Sequence, residues 1–180
     1  MKRRFVFALL AALLVAPSAQ AAENWAYRLA AILSGTFRGS TPGNELTLDT
    51  QSFTTDPNHP YDLFVRVFGK YQDDNVRIQG VMRFEVAGKD VLVTYVPHFD
   101  PSTTVSSPDA DRFTDSEAAA ACTVNFKQRG DGFVGETLGS SCNTAIRGAR
   151  SKWTVEVEPG SLRLRDVASG ETLRFKKTTK

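Results

Sequence analysis

The sequence predicts an all-β protein built as one antiparallel barrel of about ten strands, and three observations support this fold class. Short segments alternate apolar and polar residues with a period of two, as half-buried strands do. Turn-forming Gly, Pro, Asp and Ser separate these segments. Helical spacing is confined to residues 24–33, where Trp25, Leu29 and Leu33 share a face, and to a short stretch inside one long insertion. About ten strands are enough to close a barrel.

The first 21 residues have the organisation of a secretory signal peptide. A basic start is followed by an apolar run over residues 5–15 and by a small-residue cleavage pattern that ends at Ala21. The apolar run is shorter than the roughly 20 residues that a bilayer-spanning helix requires. We therefore expect residues 1–21 to be removed and residues 22–180 to form one domain without a membrane anchor, located in the periplasm or secreted.

Removal of this leader changes the net charge. The whole chain has 22 Lys and Arg against 20 Asp and Glu. The leader holds three of the basic residues and no acidic ones, so 22 minus 3 leaves 19 against 20, a net charge of about −1. Nucleic acid is therefore not an expected partner, because its phosphates are neutralised by a clear excess of Lys and Arg.

The predicted strands follow one another along the rest of the chain. They occupy residues 35–38, 45–49, 62–68, 76–86 and 91–96, a hairpin that begins at Cys122, and residues 153–158, 162–166 and 172–177. Residues 153–158 show the pattern clearly, since Trp153, Val155 and Val157 alternate with polar residues. One face of such a strand packs in a core and the other meets water.

One long insertion, residues 97–121, interrupts the strands. Its first half is rich in Pro, Ser, Thr and Asp, and its second half predicts a short helix whose start has a capping box formed by Thr114 and Glu117. Long loops in compact domains are usually lids, binding loops or disordered segments. We expect a lid across the barrel mouth, with a loop that serves no ligand as the alternative.

The chain has two cysteines, Cys122 and Cys142. In an exported protein such a pair usually forms a disulfide, and closing a loop of this length stabilises a fold by about 3 kcal/mol. The alternative is a redox or nucleophilic pair. That chemistry usually needs CxxC spacing or a neighbouring base, and the sequence shows neither.

The strand at residues 62–68 carries the candidate ligand site. Phe64, Arg66 and Phe68 share one face, so an arginine lies between two aromatic rings. The guanidinium can hold a carboxylate through two hydrogen bonds while the rings pack against an apolar ligand body. These three residues are predicted to bind a small, largely apolar and anionic ligand in the barrel lumen, with Arg77 and Tyr95 as weaker candidates.

Other interpretations of the same residues stay open. The strand can instead face outward, with Arg66 paired to an acidic residue and the two phenylalanines covered by the N-terminal helix or by a second copy in a homodimer. Tyr95 can be a core residue with a hydrogen-bonded hydroxyl. Small barrels can also be filled by their own side chains, which would leave a structural or interaction module without a ligand.

The sequence contains no motif that identifies a metal site or a catalytic site. The insertion contains a cluster of acidic residues, namely Asp109, Asp111, Asp115 and Glu117. Thr114 stands where a calcium-binding EF-hand loop needs glycine. His59 and His98 lie in Pro-containing segments without metal-ligand spacing. The sequence has no nucleophile elbow, phosphate loop, dinucleotide fingerprint or HExxH motif. We expect no metal and no required cofactor, and no catalytic residue is assigned.

A set of spaced residues resembles the CpeT/CpcT family of phycobiliprotein chromophore lyases. The set comprises Leu33-Ser34-Gly35-Thr36-Phe37, then Cys122, Phe126, Gly132-Phe133-x-Gly135 and Cys142. Similarity is strongest over residues 122–148 and extends loosely over residues 30–177. The resemblance implies a calycin-type barrel related in shape to lipocalins. It also implies an alternative function, in which the protein carries a linear tetrapyrrole (bilin) and attaches it to a protein cysteine.

The chain departs from that family at the residues expected to contact a bilin. The family's aromatic-Val-Glu-Gln segment most nearly falls on Phe64-Val65-Arg66-Val67, which replaces an acid by a base. The Pro-Tyr-Arg-Gln-Arg run is missing, since Asp62 and Leu63 follow Tyr61. We therefore expect a binding barrel first, with bilin transfer as the alternative.

Overall fold

The computed structural model describes residues 18–41, 44–52, 59–71, 74–98, 122–139, 142–143 and 150–178. Its elements in chain order are α1 (Ser18–Leu33), β1 (Gly35–Thr41), β2 (Asn44–Ser52), β3 (Leu63–Tyr71), β4 (Asp74–Ala87), β5 (Asp90–His98), β6 (Cys122–Arg129), β7 (Gly132–Thr137), β8 (Cys142–Asn143), β9 (Arg150–Ser151), β10 (Trp153–Glu158), β11 (Ser161–Asp166) and β12 (Thr172–Lys177). The predicted all-β class is confirmed, because strands dominate and α1 is the single helix within the described ranges.

Ten of the strands form one closed antiparallel barrel in the order β1-β12-β11-β10-β7-β6-β5-β4-β3-β2. The barrel closes where β1 pairs with β12, with Phe37 opposite Lys177. β8 and β9 form a separate two-stranded sheet. The expectation of about ten barrel strands is therefore confirmed. Closure also leaves no barrel strand with an unpaired edge.

Most strands extend beyond their predicted bounds, whereas β10 and β12 match them, and the helix starts earlier than predicted. α1 begins at Ser18 rather than at residue 24, and it ends at Leu33 as expected. The predicted lid, with its capping box at Thr114 and Glu117, lies outside the described residues, as do residues 1–17 of the predicted signal peptide.

Alternation along each strand divides the barrel into a lumen and an outer face. The lumen side holds a continuous apolar core that includes five phenylalanines: Phe37, Phe84, Phe126, Phe133 and Phe175. Glycines make room for some of these rings. A Cβ on Gly135 would lie 2.7 Å from the Phe126 ring, and one on Gly80 would lie 2.6 Å from the Tyr95 ring. Large and small residues thus face each other, as the interiors of small barrels require.

α1 covers one end of the barrel, which we call the helix end. Ala26, Leu29 and Leu33 are buried in the same core as the strand residues, and α1 contacts β4, β5 and β10. Arg28 Nη2 also donates to the Asp131 carbonyl in the β6–β7 turn, at 3.4 Å. We call the opposite end, where β3 finishes and β10 begins, the mouth. The apolar face of α1 therefore closes the helix end as part of the core.

Two side chains from the barrel satisfy the carbonyl groups at the end of α1. The last carbonyls of a helix have no partner within the helix. Thr50 Oγ1 lies 2.5 Å from the Leu33 carbonyl and 2.9 Å from that of Gly35. Lys177 Nζ donates to the Ile32 carbonyl at 3.2 Å and lies 5.5 Å from the centre of the Phe37 ring. A positive charge here also opposes the negative end of the helix dipole.

A disulfide joins Cys122 at the start of β6 to Cys142 in β8, with 4.7 Å between the two Cα atoms and a sequence separation of 20. The predicted pairing is confirmed. Because β6 begins at the mouth, the bond ties the small β8–β9 sheet to the barrel at that end.

Replacing Thr50 with valine is expected to lower the free energy of unfolding by about 1–3 kcal/mol. Valine keeps the shape, but it removes the single hydroxyl proton that the Leu33 and Gly35 carbonyls share. Urea unfolding of the variant measures the loss, and Thr47→Val on the outer face of the same strand is the matched control. Equal stability of the two variants would contradict this account of the helix end.

Replacing both cysteines with serine is expected to reduce stability by about 3 kcal/mol, because the unfolded chain regains the freedom of an open loop. Denaturant unfolding of the double variant, compared with wild type under oxidising conditions, measures the change. Reduced wild-type protein should match the variant, and a stability unaffected by either treatment would show that the disulfide contributes little to the fold.

Candidate functional site

The predicted ligand residues of β3 lie on the outer face of the barrel. Val65 and Val67 pack in the lumen core, so Phe64, Arg66 and Phe68 alternate to the outside. The expectation that Arg66 points into the lumen is wrong. Alternation shows that a strand has two faces but does not show which one the barrel encloses, and here the aliphatic face turned inward.

Arg66 is paired with an acidic residue, which was the alternative interpretation. Arg66 Nη2 lies 2.5 Å from Asp49 Oδ2 on β2, and the Arg66 side chain is 35% exposed. Its guanidinium carbon lies 5.9 Å from the centre of the Phe64 ring. Phe64 is buried against the outside of the sheet, whereas Phe68 is 46% exposed. A carboxylate ligand would therefore have to compete with Asp49 for this guanidinium.

The two weaker candidates, Arg77 and Tyr95, lie on opposite faces of the barrel wall. Arg77 lies opposite Phe68 on β4, exposed on the outer face. Tyr95 faces the lumen, and its hydroxyl donates to the Gln79 carbonyl at 3.2 Å. Burial raises the pKa of the Tyr95 hydroxyl well above its usual value of 10.0. The neutral hydroxyl is thus a fixed donor within the barrel wall, and the structure does not bring the five predicted residues together in one site.

The mouth half of the lumen has a different character from the helix half. Lumen residues near α1, such as Phe37, Phe133 and Val157, are fully buried. Towards the mouth, Leu46, Tyr71 and Leu173 are also buried. Other lumen residues there are only partly buried, namely Val67, Val76, Ile78, Leu164 and Trp153. The partly buried side chains face inward and still contact solvent, so apolar surface is accessible at the mouth; we call this set of five residues the recess.

Trp153 places an unsatisfied donor in this recess. It is the first residue of β10, on the same face as Val155, and it lies opposite Asp166 on β11. Its backbone N–H donates to Thr137 Oγ1 at 3.1 Å. Its indole Nε1 is buried and, within the described part of the chain, has no hydrogen-bond partner. A buried donor left unpaired costs about 1–3 kcal/mol, so a partner from outside the chain would be favoured here.

A tyrosine and a carboxylate close part of the rim. The Tyr71 hydroxyl donates to Glu171 Oε1, which joins the end of β3 to the residue before β12. Asp166 Oδ1 accepts from the backbone N–H of Ala168 at 2.7 Å and so shapes the β11–β12 turn. These hydrogen bonds fix the end of β3 and the β11–β12 turn at the rim of the barrel.

Sequence reasoning treated Trp153 as an ordinary core residue. The signal available was its position, because a tryptophan at the very start of a lumen-facing strand puts an N–H near the barrel rim. Period-two alternation marks the face of such a residue but does not show whether an acceptor lies nearby.

A buried carboxylate outside this recess completes the β3–β4 pairing. Asp62, just before β3, accepts from Phe84 N at 3.2 Å and from Arg83 Nε at 3.3 Å. Burial raises the pKa of the Asp62 carboxyl above its usual 3.8, and these two hydrogen bonds partly oppose the rise. Asp62 holds the end of the sheet together and does not face the mouth recess.

The described ranges lack the features of a metal site and of a membrane-spanning helix. Those ranges contain no cluster of three or more His, Cys, Asp or Glu residues that would hold a metal ion. Of the two histidines, His59 is described just before β3, and the side chain of His98 is outside the described set. Across the described segments, no helix has both the length and the apolar character needed to cross a bilayer.

Comparison with known proteins adds no assignment, since no family model, no curated protein and no solved structure matches this chain. The resemblance to the CpeT/CpcT family therefore stays a prediction. The class that the fold defines is a closed ten-stranded antiparallel barrel with a helix across one end. A barrel of this class is compatible with binding a ligand.

Asp62→Asn is expected to change the pH dependence of stability. The native state binds the Asp62 proton more tightly than the unfolded chain does, so this group contributes most stability below pH 3.8 and loses it as the pH rises through the folded pKa. The advantage of wild type over the variant should therefore shrink as the pH rises above 3.8.

Urea unfolding at several pH values measures this difference, with Asp131→Asn in an exposed turn as the matched control. A wild-type advantage that grows towards neutral pH would mean that the ion pair with Arg83 outweighs burial.

Proposed function

We propose that this protein is a binding barrel that takes a small, largely apolar ligand into the mouth half of its lumen. The observation that carries the proposal is the buried Trp153 Nε1, which has no partner within the described residues although it lies in an apolar recess. Ligand sites combine mostly apolar walls with a few polar groups that fix orientation. The recess supplies apolar side chains from its inward-facing residues and one polar group, the Trp153 Nε1 donor.

The ligand's polar group is a neutral hydrogen-bond acceptor such as a ketone or an amide carbonyl. Trp153 Nε1 can only donate a hydrogen bond. The anionic ligand predicted from Arg66 does not extend to this recess, because that guanidinium lies on the outer face and is paired with Asp49. Binding and orientation are the chemistry that this arrangement supports, since neither an activated nucleophile nor a general base lies among the recess residues described.

We further infer that the protein works in an oxidising compartment outside the cytoplasm. The Cys122–Cys142 disulfide supports this location, because such bonds persist mainly in the periplasm and outside the cell. The leader-like residues 1–21 of the sequence support it independently.

Binding of Prodan, a neutral naphthalene ketone with a solvent-sensitive emission, tests the proposal. Wild-type protein is expected to bind it saturably with a blue shift. Trp153→Phe should weaken binding by about 2- to 10-fold, the effect of losing one hydrogen bond. Leu164→Trp, which fills the recess, should weaken it further.

Two control variants sharpen the experiment. Val86→Trp adds the same bulk at an exposed position near the helix end, and Arg66→Leu removes the outer-face guanidinium, so neither should alter binding. The proposal fails if wild type binds no Prodan, or if Leu164→Trp and Val86→Trp bind it equally well. Biliverdin in the same titration, followed by visible absorption, tests whether a linear tetrapyrrole occupies the recess.

A further inference from the structure

A compact group of cations lies on the outer face of three neighbouring strands. We call it the basic strip, and it consists of Arg38 on β1, Arg163 and Arg165 on β11, and Arg174 and Lys176 on β12. All five side chains are exposed, and they alternate with lumen residues such as Phe37 and Phe175. The barrel order places β1, β12 and β11 side by side, so residues far apart in sequence meet here.

The strand register sets like charges directly opposite each other. Arg38 pairs with Lys176, and Arg163 pairs with Arg174. Like charges in such cross-strand positions destabilise a sheet. Of the five cations in the basic strip, only Arg163 has an acidic partner within the described residues, at 2.9 Å from Glu156 Oε2. The fold therefore tolerates a local electrostatic cost at this place, which an anion bound from outside would relieve.

Acidic residues border the basic strip on both sides. Glu156 and Glu158 lie outward on β10, the strand next to β11. Asp49 and Glu45 lie outward on β2, the strand next to β1. The positive surface is thus about two strand spacings wide, roughly 10 Å, and about four residues long, roughly 13 Å.

This outline favours a narrow, linear occupant over a flat one. A membrane surface would meet the acidic borders together with the cations, and like charges brought together oppose binding. A linear polyanion lying obliquely from Arg38 to Arg165 would meet cations alone. Arginine, which supplies four of the five charges, grips carboxylate and sulfate oxygens with a planar pair of donors.

We propose that the basic strip binds an anionic polysaccharide that carries carboxylate or sulfate groups along its chain. The described outward side chains of β1, β11 and β12 include no aromatic ring, so the site recognises charge and spacing rather than stacked bases. The disulfide indicates an oxidising compartment outside the cytoplasm, which does not favour nucleic acid as the occupant. This surface is separate from the lumen, and the proposal does not depend on the Prodan site.

Heparin and polygalacturonate serve as the sulfated and carboxylated probes, and calorimetry measures their affinity at several salt concentrations. Wild type is expected to bind at least one of them, with an affinity that falls as salt rises. The double variant Arg165→Glu/Arg174→Glu should lose about 10-fold or more in affinity, and its salt dependence should be shallower because fewer anionic groups are neutralised.

The matched control is Lys127→Glu/Arg129→Glu, which makes the same change in net charge at exposed positions on β6. It should retain near-wild-type affinity. Unchanged Prodan binding and circular dichroism in both double variants show that the barrel is intact.

Three results would overturn the proposal. The first is that neither polysaccharide binds. The second is an equal loss of affinity in both double variants, which would make the effect one of net charge alone. The third is tighter binding of single-stranded DNA, polyphosphate or phosphatidylglycerol vesicles than of either polysaccharide, which would assign the basic strip to another class of anion.

Discussion

The pairing of β1 with β12 is the constraint on which the rest of the structure depends. It joins the beginning and the end of the strand sequence and converts an open sheet into a barrel with an inside and an outside. Closure fixes Phe37 in the lumen and Arg38 on the outer face. Because α1 runs directly into β1, closure also places the helix over the barrel end. There Lys177, the last residue of β12, reaches the Ile32 carbonyl. Core, helix position and outer charge pattern follow from one strand pair.

Polar groups inside the barrel are treated differently at its two ends. Near α1, Thr50 and Lys177 satisfy carbonyls that the helix itself leaves unpaired. Desolvation makes such satisfaction necessary where water is excluded. Near the mouth, apolar side chains remain in contact with solvent and the Trp153 indole N–H has no partner within the described residues. The polar groups at the helix end therefore have partners, whereas the mouth holds one buried donor without a partner in the described residues.

The outer face has its own organisation. In one sector Arg66 pairs with Asp49 and lies near the Phe64 ring, and this partly exposed ion pair contributes only modest stability. Another sector gathers five cations across β1, β12 and β11 between acidic borders. Opposite charges are within reach across the strands of the first sector, and like charges face each other in the second. Only the second arrangement has an electrostatic cost that a bound anion would offset.

The sequence by itself determined the strand alternation, the approximate number of strands, the end of the helix at Leu33 and the Cys122–Cys142 pairing, because these depend on local spacing and on the number of cysteines. It marked residues 62–68 as having two distinct faces. Only the tertiary structure decided which face the barrel encloses, and Val65 rather than Arg66 turned inward because burying an aliphatic side chain is favourable whereas burying an unpaired charge is costly. The unpaired, buried Trp153 donor and the basic strip could likewise be recognised only from the tertiary structure. Each depends on neighbours that are distant in sequence and that only barrel closure brings together.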